Sequence, residues 1–179
     1  MITEKHIEVI KKAIKIYGST NQFLVCIEEI SELIKEITKT ARVDNEYTEN
    51  NYTGMIDELA DVYIIYYQLL IILGNENFDS TTEDEKMLLF SCEKTILVNY
   101  LMFLMSIIHD LSMFMFDDTS ADEEKISKTK ELLVEKARYG IKFHINVVDS
   151  ISNKSIVRDR INFKIGRLSD KIEKRGGPK

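Results

Sequence analysis

The chain has 179 residues, 44% of them apolar, with 30 acidic against 24 basic side chains and a net charge of −6. That is enough apolar material for one well-buried domain. The acidic balance excludes a protein that coats nucleic acid, which needs a basic surface to neutralise phosphates, so an anionic substrate would need local help from a metal ion or a few placed cations.

The only proline is Pro178, and strand-like alternation is rare, so the pattern predicts an all-α chain, a bundle of about six helices. The first helix spans about 3–17 and stops at Gly18. The second, about 20–40, opens on a capping-box pattern, Ser19-x-x-Gln22. A long polar linker, Ala41–Gly54, is a candidate to close over a ligand, and Thr53 can cap a third helix over about 54–73. Two further capping boxes, Thr82-x-x-Glu85 and Ser120-x-x-Glu123, open helices over about 83–116 and 121–150, and a last helix covers about 154–175. Within the fourth, Thr95–Phe116 has the length of a membrane span, but Asn99, Ser106, His109, Asp110 and Ser112 interrupt it. The expectation is a central, nearly all-buried helix and no membrane. Met1–Lys15 is polar and mixed in charge, no Cys-x-x-Cys occurs, and Cys26 and Cys92 each sit in an apolar helical pattern. Small buried thiols in a reduced, cytoplasmic protein are expected.

Two helices carry carboxylates in stripes. In the second, Ile27, Ile30, Ile34 and Ile37 form a core face, while Glu29, Glu32 and Glu36 line up at i, i+3, i+7 and Glu28 neighbours Glu32 at i+4. Like charges at these spacings cost a few tenths of a kcal/mol each, and only Lys35 is interleaved. The third helix groups Asp57, Glu58 and Asp61 immediately before a nearly unbroken apolar run, "VYIIYYQLLIIL". A helix that apolar is buried on most sides, so its carboxylates stand at the mouth of the core. Gathered there they repel and their pKa values rise, unless a cation sits among them. A hard divalent ion with oxygen ligands suits that chemistry, Mg²⁺ best of all where phosphates complete the shell, with Mn²⁺ the alternative.

The stretch "EEISEL" followed by "DELADVYIIYYQL" resembles the all-α nucleoside triphosphate pyrophosphohydrolases, the superfamily of MazG-like enzymes and dimeric dUTPases. Their E-E-x-x-E and E-x-x-D motifs read here as Glu28-Glu29-Ile30-Ser31-Glu32 and Glu58-Leu59-Ala60-Asp61, with 25 residues between them. "INFKIGRLSDKIEKR" is similar to the basic closing helix of several members. The resemblance implies a MazG-like core made of 1–75 and 154–175 with an inserted helical pair, 76–153, all in a single domain. It also implies hydrolysis of a (d)NTP to (d)NMP and pyrophosphate. By motif position Glu29, Glu32, Glu58 and Asp61 would hold the metal, Glu28, Glu29 and Glu32 would form the catalytic set, and Glu28 would orient or deprotonate the water. The substrate would meet Gln22, Lys35, Lys39 and Arg167, with Arg42, Lys171, Lys174 and Arg175 as further cations. Gln22 is otherwise accounted for by its capping box, and Tyr63, Tyr66 and Tyr67 read as core in preference to base-stacking residues. Family members with short subunits share a site between chains, so a homo-oligomer, a dimer, is expected, with a pseudo-dimeric single chain as the alternative. The rival function is a non-catalytic helical regulator binding nucleotide or protein on the same fold.

Other all-α chemistries fit worse. A di-iron bundle needs Glu-x-x-His, and none precedes His6, His109 or His144. The His109-Asp110 pair is similar to the centre of HD-type phosphohydrolases but lacks their further ligands, and His109 is expected to be a satisfied buried histidine. No zinc pattern, phosphate-cradling glycine loop or nucleophile elbow occurs.

Overall fold

The computed structural model describes residues 2–42, 49–76, 78, 93–116, 123–151 and 154–176. Among them the only regular secondary structure is six α-helices: α1 Glu4–Tyr17, α2 Ser19–Arg42, α3 Glu49–Ile72, α4 Glu93–Phe116, α5 Glu123–Ile151 and α6 Lys154–Gly176. The all-α expectation holds. The Thr82 and Ser120 capping boxes, Cys92 and the tip of the α2–α3 linker, where closure over a ligand was expected, lie outside the described residues.

The local signals explain most ends. Thr3 caps α1 in a box with His6, each side chain bonding the other's backbone at 3.4 Å. Gly18 leaves α1 with φ +82°, and Gly74 ends α3 at φ +74°. At that second end the Gly74 N–H donates to the Ile71 carbonyl and the Asn75 N–H to that of Leu70, a Schellman closure that requires a left-handed residue. Two starts differ from expectation. Thr53 does not cap α3, which begins at Glu49. Gly54 lies inside that helix, where a Cβ would stand 3.0 Å from Glu36 Oε2, so the glycine leaves room for that carboxylate between α2 and α3. Gln22 does not fold back on Ser19 either; its amide crosses to α3.

The hub is α3. Every residue from Val62 to Leu70 is buried, and the helix packs against α1, α2, α5 and α6. Helices α2, α3, α5 and α4 form a ring in that order, each touching the next, while α1 and α6 cover the remaining flank of α3. The segment read as an insertion thus shares one hydrophobic cluster with α2 and α3. Tyr66 Oη meets Tyr100 Oη at 3.1 Å, and Tyr100 Oη meets His144 Nδ1 at 2.8 Å, joining α3, α4 and α5 through a buried polar chain. Gly140 makes that possible, because a Cβ there would lie 2.6 Å from the Tyr66 ring. Tyr63, Tyr66 and Tyr67 are core residues, as is Cys26.

Two expectations about α4 change. It buries one face, through Leu97, Tyr100, Leu104, Ile107 and Leu111, and exposes Val98, Met102, Met105, Met113 and Phe116 on the other. Only six of the 22 residues of Thr95–Phe116 are buried, and by length and composition this is the one described helix able to cross a membrane. High apolar content alone does not say which face finds a partner; the helix with an unbroken buried run is α3, over Val62–Leu70. His109 is exposed, whereas Asp110 beside it is buried against Lys136 Nζ at 2.5 Å. The buried histidine is His144.

Candidate functional site

The acidic stripes of α2 and α3 meet. Glu29 and Glu32 on α2 and Glu58 on α3 bring carboxylate oxygens within 4.8 Å of one another. The two helices present mirrored stripes: 22, 25, 29 and 32 on α2, and 58, 61, 65 and 68 on α3, each at the 3-4-3 spacing that keeps one face. Glu32 faces Glu58, Glu29 is coupled to Asp61, and Gln22 is hydrogen-bonded to Gln68. Val25 and Ile65 fall between, both lining the same cleft. An acidic rung (Glu29 and Asp61), an apolar rung and an amide rung therefore follow one another down a single groove, and the Glu32–Glu58 rung continues the series next to its acidic end.

That groove is a cleft of about 800 Å³. Glu28, Glu29, Asp61 and the Gln22–Gln68 pair form its α2–α3 wall. Its opposite wall is α6, where Lys164, Arg167, Lys171, Lys174 and Arg175 recur at helical spacing, with Tyr17 at the margin. The Arg175 guanidinium stands 4.9 Å from the centre of the Tyr17 ring. One wall is thus anionic at one end and the other cationic along its length.

Burial, then the charges of Asp61, Glu58 and Glu32, pushes the Glu29 carboxyl up to about 7. Burial and Asp61 do the same to Glu58, also to about 7. Burial raises Asp61 too, against the pull of Lys164, whose ammonium is ion-paired with it. Neighbouring Asp57 has Arg160 Nε 2.9 Å from Oδ1, a charge contact out of line for a hydrogen bond. Glu58 Oε2 is buried with no hydrogen-bond partner among the described residues. A carboxylate oxygen left bare beside two others is a costly arrangement without a cation. With Glu29 half-buried and Glu32 exposed at the solvent side, the three carboxylates are a hard oxygen donor set suited to Mg²⁺ or Mn²⁺.

Of the residues singled out from sequence, Glu29, Glu32 and Glu58 form the cluster, and Asp61, ion-paired to Lys164, adjoins it closely enough for its charge to act on Glu29 and Glu58. Glu28, Gln22, Arg167, Lys171, Lys174 and Arg175 line the cleft. Lys35, Lys39 and Arg42 do not line it: Lys35 and Arg42 are exposed on α2, and Lys39 Nζ is held 2.5 Å from Glu36 Oε1. Lys164, Arg160 and Gln68 were not singled out. Lys164 carried a signal, since it continues the Arg167–Lys171–Lys174 stripe by one turn; Gln68 showed only as a lone polar residue in an apolar run. Comparison with models of known protein families, with curated proteins and with solved structures gives no match for this chain.

Proposed function

We propose that this protein is a Mg²⁺-dependent nucleoside triphosphate pyrophosphohydrolase on a MazG-like helical core, converting a (d)NTP and water to (d)NMP and pyrophosphate. The observation that carries the reading is the three-carboxylate cluster with its bare, buried Glu58 oxygen, joined through Glu29 to a cleft whose facing wall is cationic. Phosphate chemistry needs both: a polyphosphate is too anionic for the carboxylates alone, and a cationic wall alone leaves them repelling.

In this reading Glu29, Glu32 and Glu58 hold the metal, and Asp61 joins them once Lys164 lets go of it. Bound there, Mg²⁺ supplies charge neutralisation on the phosphate oxygens and a more acidic water. Arg167 and Lys171 steady the phosphates from α6, and Lys164, released from Asp61, adds a third cation. Glu28 lines the cleft one residue from the cluster, where its carboxylate can accept the proton of an attacking water. The helices contribute position above all: rigid elements hold the groups in place before substrate arrives.

The test is pyrophosphate release from a panel of ribo- and deoxynucleoside triphosphates with Mg²⁺, alongside Glu32→Gln and Asp61→Asn. Turnover in the wild type that falls at least a hundredfold in either variant, and stops on chelation, is expected. A folded protein that turns over none of the panel would sink the enzyme reading; nucleotide affinity without turnover would point to the regulator instead.

A further inference from the structure

Beyond the phosphate end, the cleft closes on two buried amides. Gln22 and Gln68 are 6% and 4% exposed, and both line the cleft. Gln22 precedes Glu29 by seven residues and Gln68 follows Asp61 by seven. Each therefore shares a helix face with a carboxylate, about 10 Å away by helical rise. A ligand with an anionic end at the carboxylates would lay its next portion along Val25, Ile64, Ile65 and Leu168, which are apolar. Its far edge would then arrive at the amide pair. That sequence of anion, apolar face and hydrogen-bonding edge is the profile of a nucleotide, and the amides stand where the base edge falls.

The pairing of the amides bears on what they can read. Gln68 Nε2 donates to Gln22 Oε1 at 3.1 Å. Gln68 Oε1 is buried and accepts from no group. Among the described residues nothing behind Gln68 therefore fixes which way its amide points. Turning both amides over preserves one hydrogen bond, now from Gln22 Nε2 to Gln68 Oε1, and still leaves one Gln68 group unpaired. The turn exchanges what Gln22 has free for the cleft: an N–H₂ in the first arrangement, a carbonyl in the second. A reader anchored from behind would reject the wrong substituent strongly, because a buried polar group would be left unmatched. This pair carries no such anchor.

We propose that Gln22 and Gln68 form a reversible amide pair that reads the edge of a nucleobase and accepts keto and amino bases alike. The proposal rests on the nucleotide reading above and extends it to base selection. Gln22 is the residue that meets the base, and Gln68 is a positioning residue acting through it.

The experiment is equilibrium titration calorimetry with Mg²⁺ and deoxynucleoside triphosphate analogues whose α–β bridge is an uncleavable imido group. Bases are compared within a ring size: uracil against cytosine, guanine against adenine. Dissociation constants within about tenfold inside each size class are expected. Gln22→Met should weaken all four by about tenfold, the worth of one lost hydrogen bond to a base, while deoxyribose 5-triphosphate lacking a base binds both proteins equally. Gln68→Met, which keeps Gln22 but frees it, should weaken the four nucleotides in the same direction, with circular dichroism establishing that both variants fold. A preference above a hundredfold for keto or for amino within a size class would overturn the proposal. So would Gln22→Met binding nucleotides as the wild type does, or losing the base-free compound equally. Tight, base-tolerant binding of the analogues without hydrolysis of the natural nucleotides would refute the pyrophosphohydrolase reading alone; binding of none would remove both.

Discussion

Replacing Glu58 by glutamine should stabilise the metal-free protein at alkaline pH and abolish its stabilisation by Mg²⁺. Glu29 and Glu58 are both raised from 4.5 to about 7, burial being the main cause and neighbouring carboxylates the next. Between those two values the folded state holds protons that the unfolded state has released. Stability therefore falls as pH rises through the window, with no penalty below it and the full penalty above. The whole displacement of one such group corresponds to about 3 kcal/mol. Both carboxylates are partly solvated, and screening reduces the figure to about 1 kcal/mol each. In a chain of this length that is a melting-temperature change of about 2–4 °C. Glutamine keeps the shape and removes the charge, so Glu58→Gln in chelator should melt about 3 °C above the wild type near pH 8, with little difference near pH 5. Millimolar Mg²⁺ should then raise the wild type at the alkaline pH and leave the variant where it was. A variant that melts lower than the wild type in chelator near pH 8, or whose advantage ignores pH, would show that Glu58 is not held in a repulsive cluster.

Three further outcomes follow from the packing. Lys164→Met strands Asp61 among like charges; for a half-buried pair this should cost about 1–3 kcal/mol in urea unfolding with chelator present, part of it recovered by Mg²⁺, and a variant as stable as the wild type would show the pair to be inconsequential. Gly140→Ala gains about 1 kcal/mol of helix propensity but drives a methyl to 2.6 Å from the fully buried Tyr66 ring, so net destabilisation of about 1–3 kcal/mol by denaturant midpoint is expected, and a stabilised variant would contradict the close approach. Burial pushes the His144 imidazole down to about 3, so below its ordinary 6.5 the unfolded state takes up a proton that the folded state refuses, and stability is lost as pH falls. His144→Phe should therefore shift the acid unfolding midpoint, followed by circular dichroism, to lower pH; an unchanged midpoint would mean that His144 is not the group resisting protonation.

Helix order and type were legible because almost nothing in the chain breaks a helix, and α3 announced its position through "VYIIYYQLLIIL", which has no polar face to turn outward. What composition could not say is which apolar helix is enclosed. The stretch Thr95–Phe116 reads much like α3, yet it leaves a row of methionines exposed, because burial depends on how many neighbours a helix finds as well as on its hydropathy. The start of α3 was misplaced for a related reason. Gly54 resembles punctuation in one dimension, whereas in three it is a point of close approach to Glu36, and Thr53 before it is interior helix.

The carboxylate cluster was legible because helical spacing alone puts Glu29 with Glu32 and Glu58 with Asp61. Bringing the two stripes together requires only that consecutive helices pair. The cations were harder. Proximity in sequence favoured Lys35 and Lys39, one and two turns beyond Glu32, but a lysine on the same helix is drawn to the nearest glutamate on its own surface, and Lys39 is spent on Glu36. A cation can face a carboxylate across a cleft only from a different helix. Here it comes from α6, where Lys164 reaches Asp61 across 103 residues of chain. The same logic hid Gln68: a single amide in an apolar run reads as a blemish until its partner is seen, seven residues up the acidic stripe of the facing helix. The cleft is therefore a property of the pairing of α2, α3 and α6, and substitutions that alter how α6 lies on α3, at buried Val157, Ile161 or Ile165, should weaken the cationic wall without touching a single charged residue.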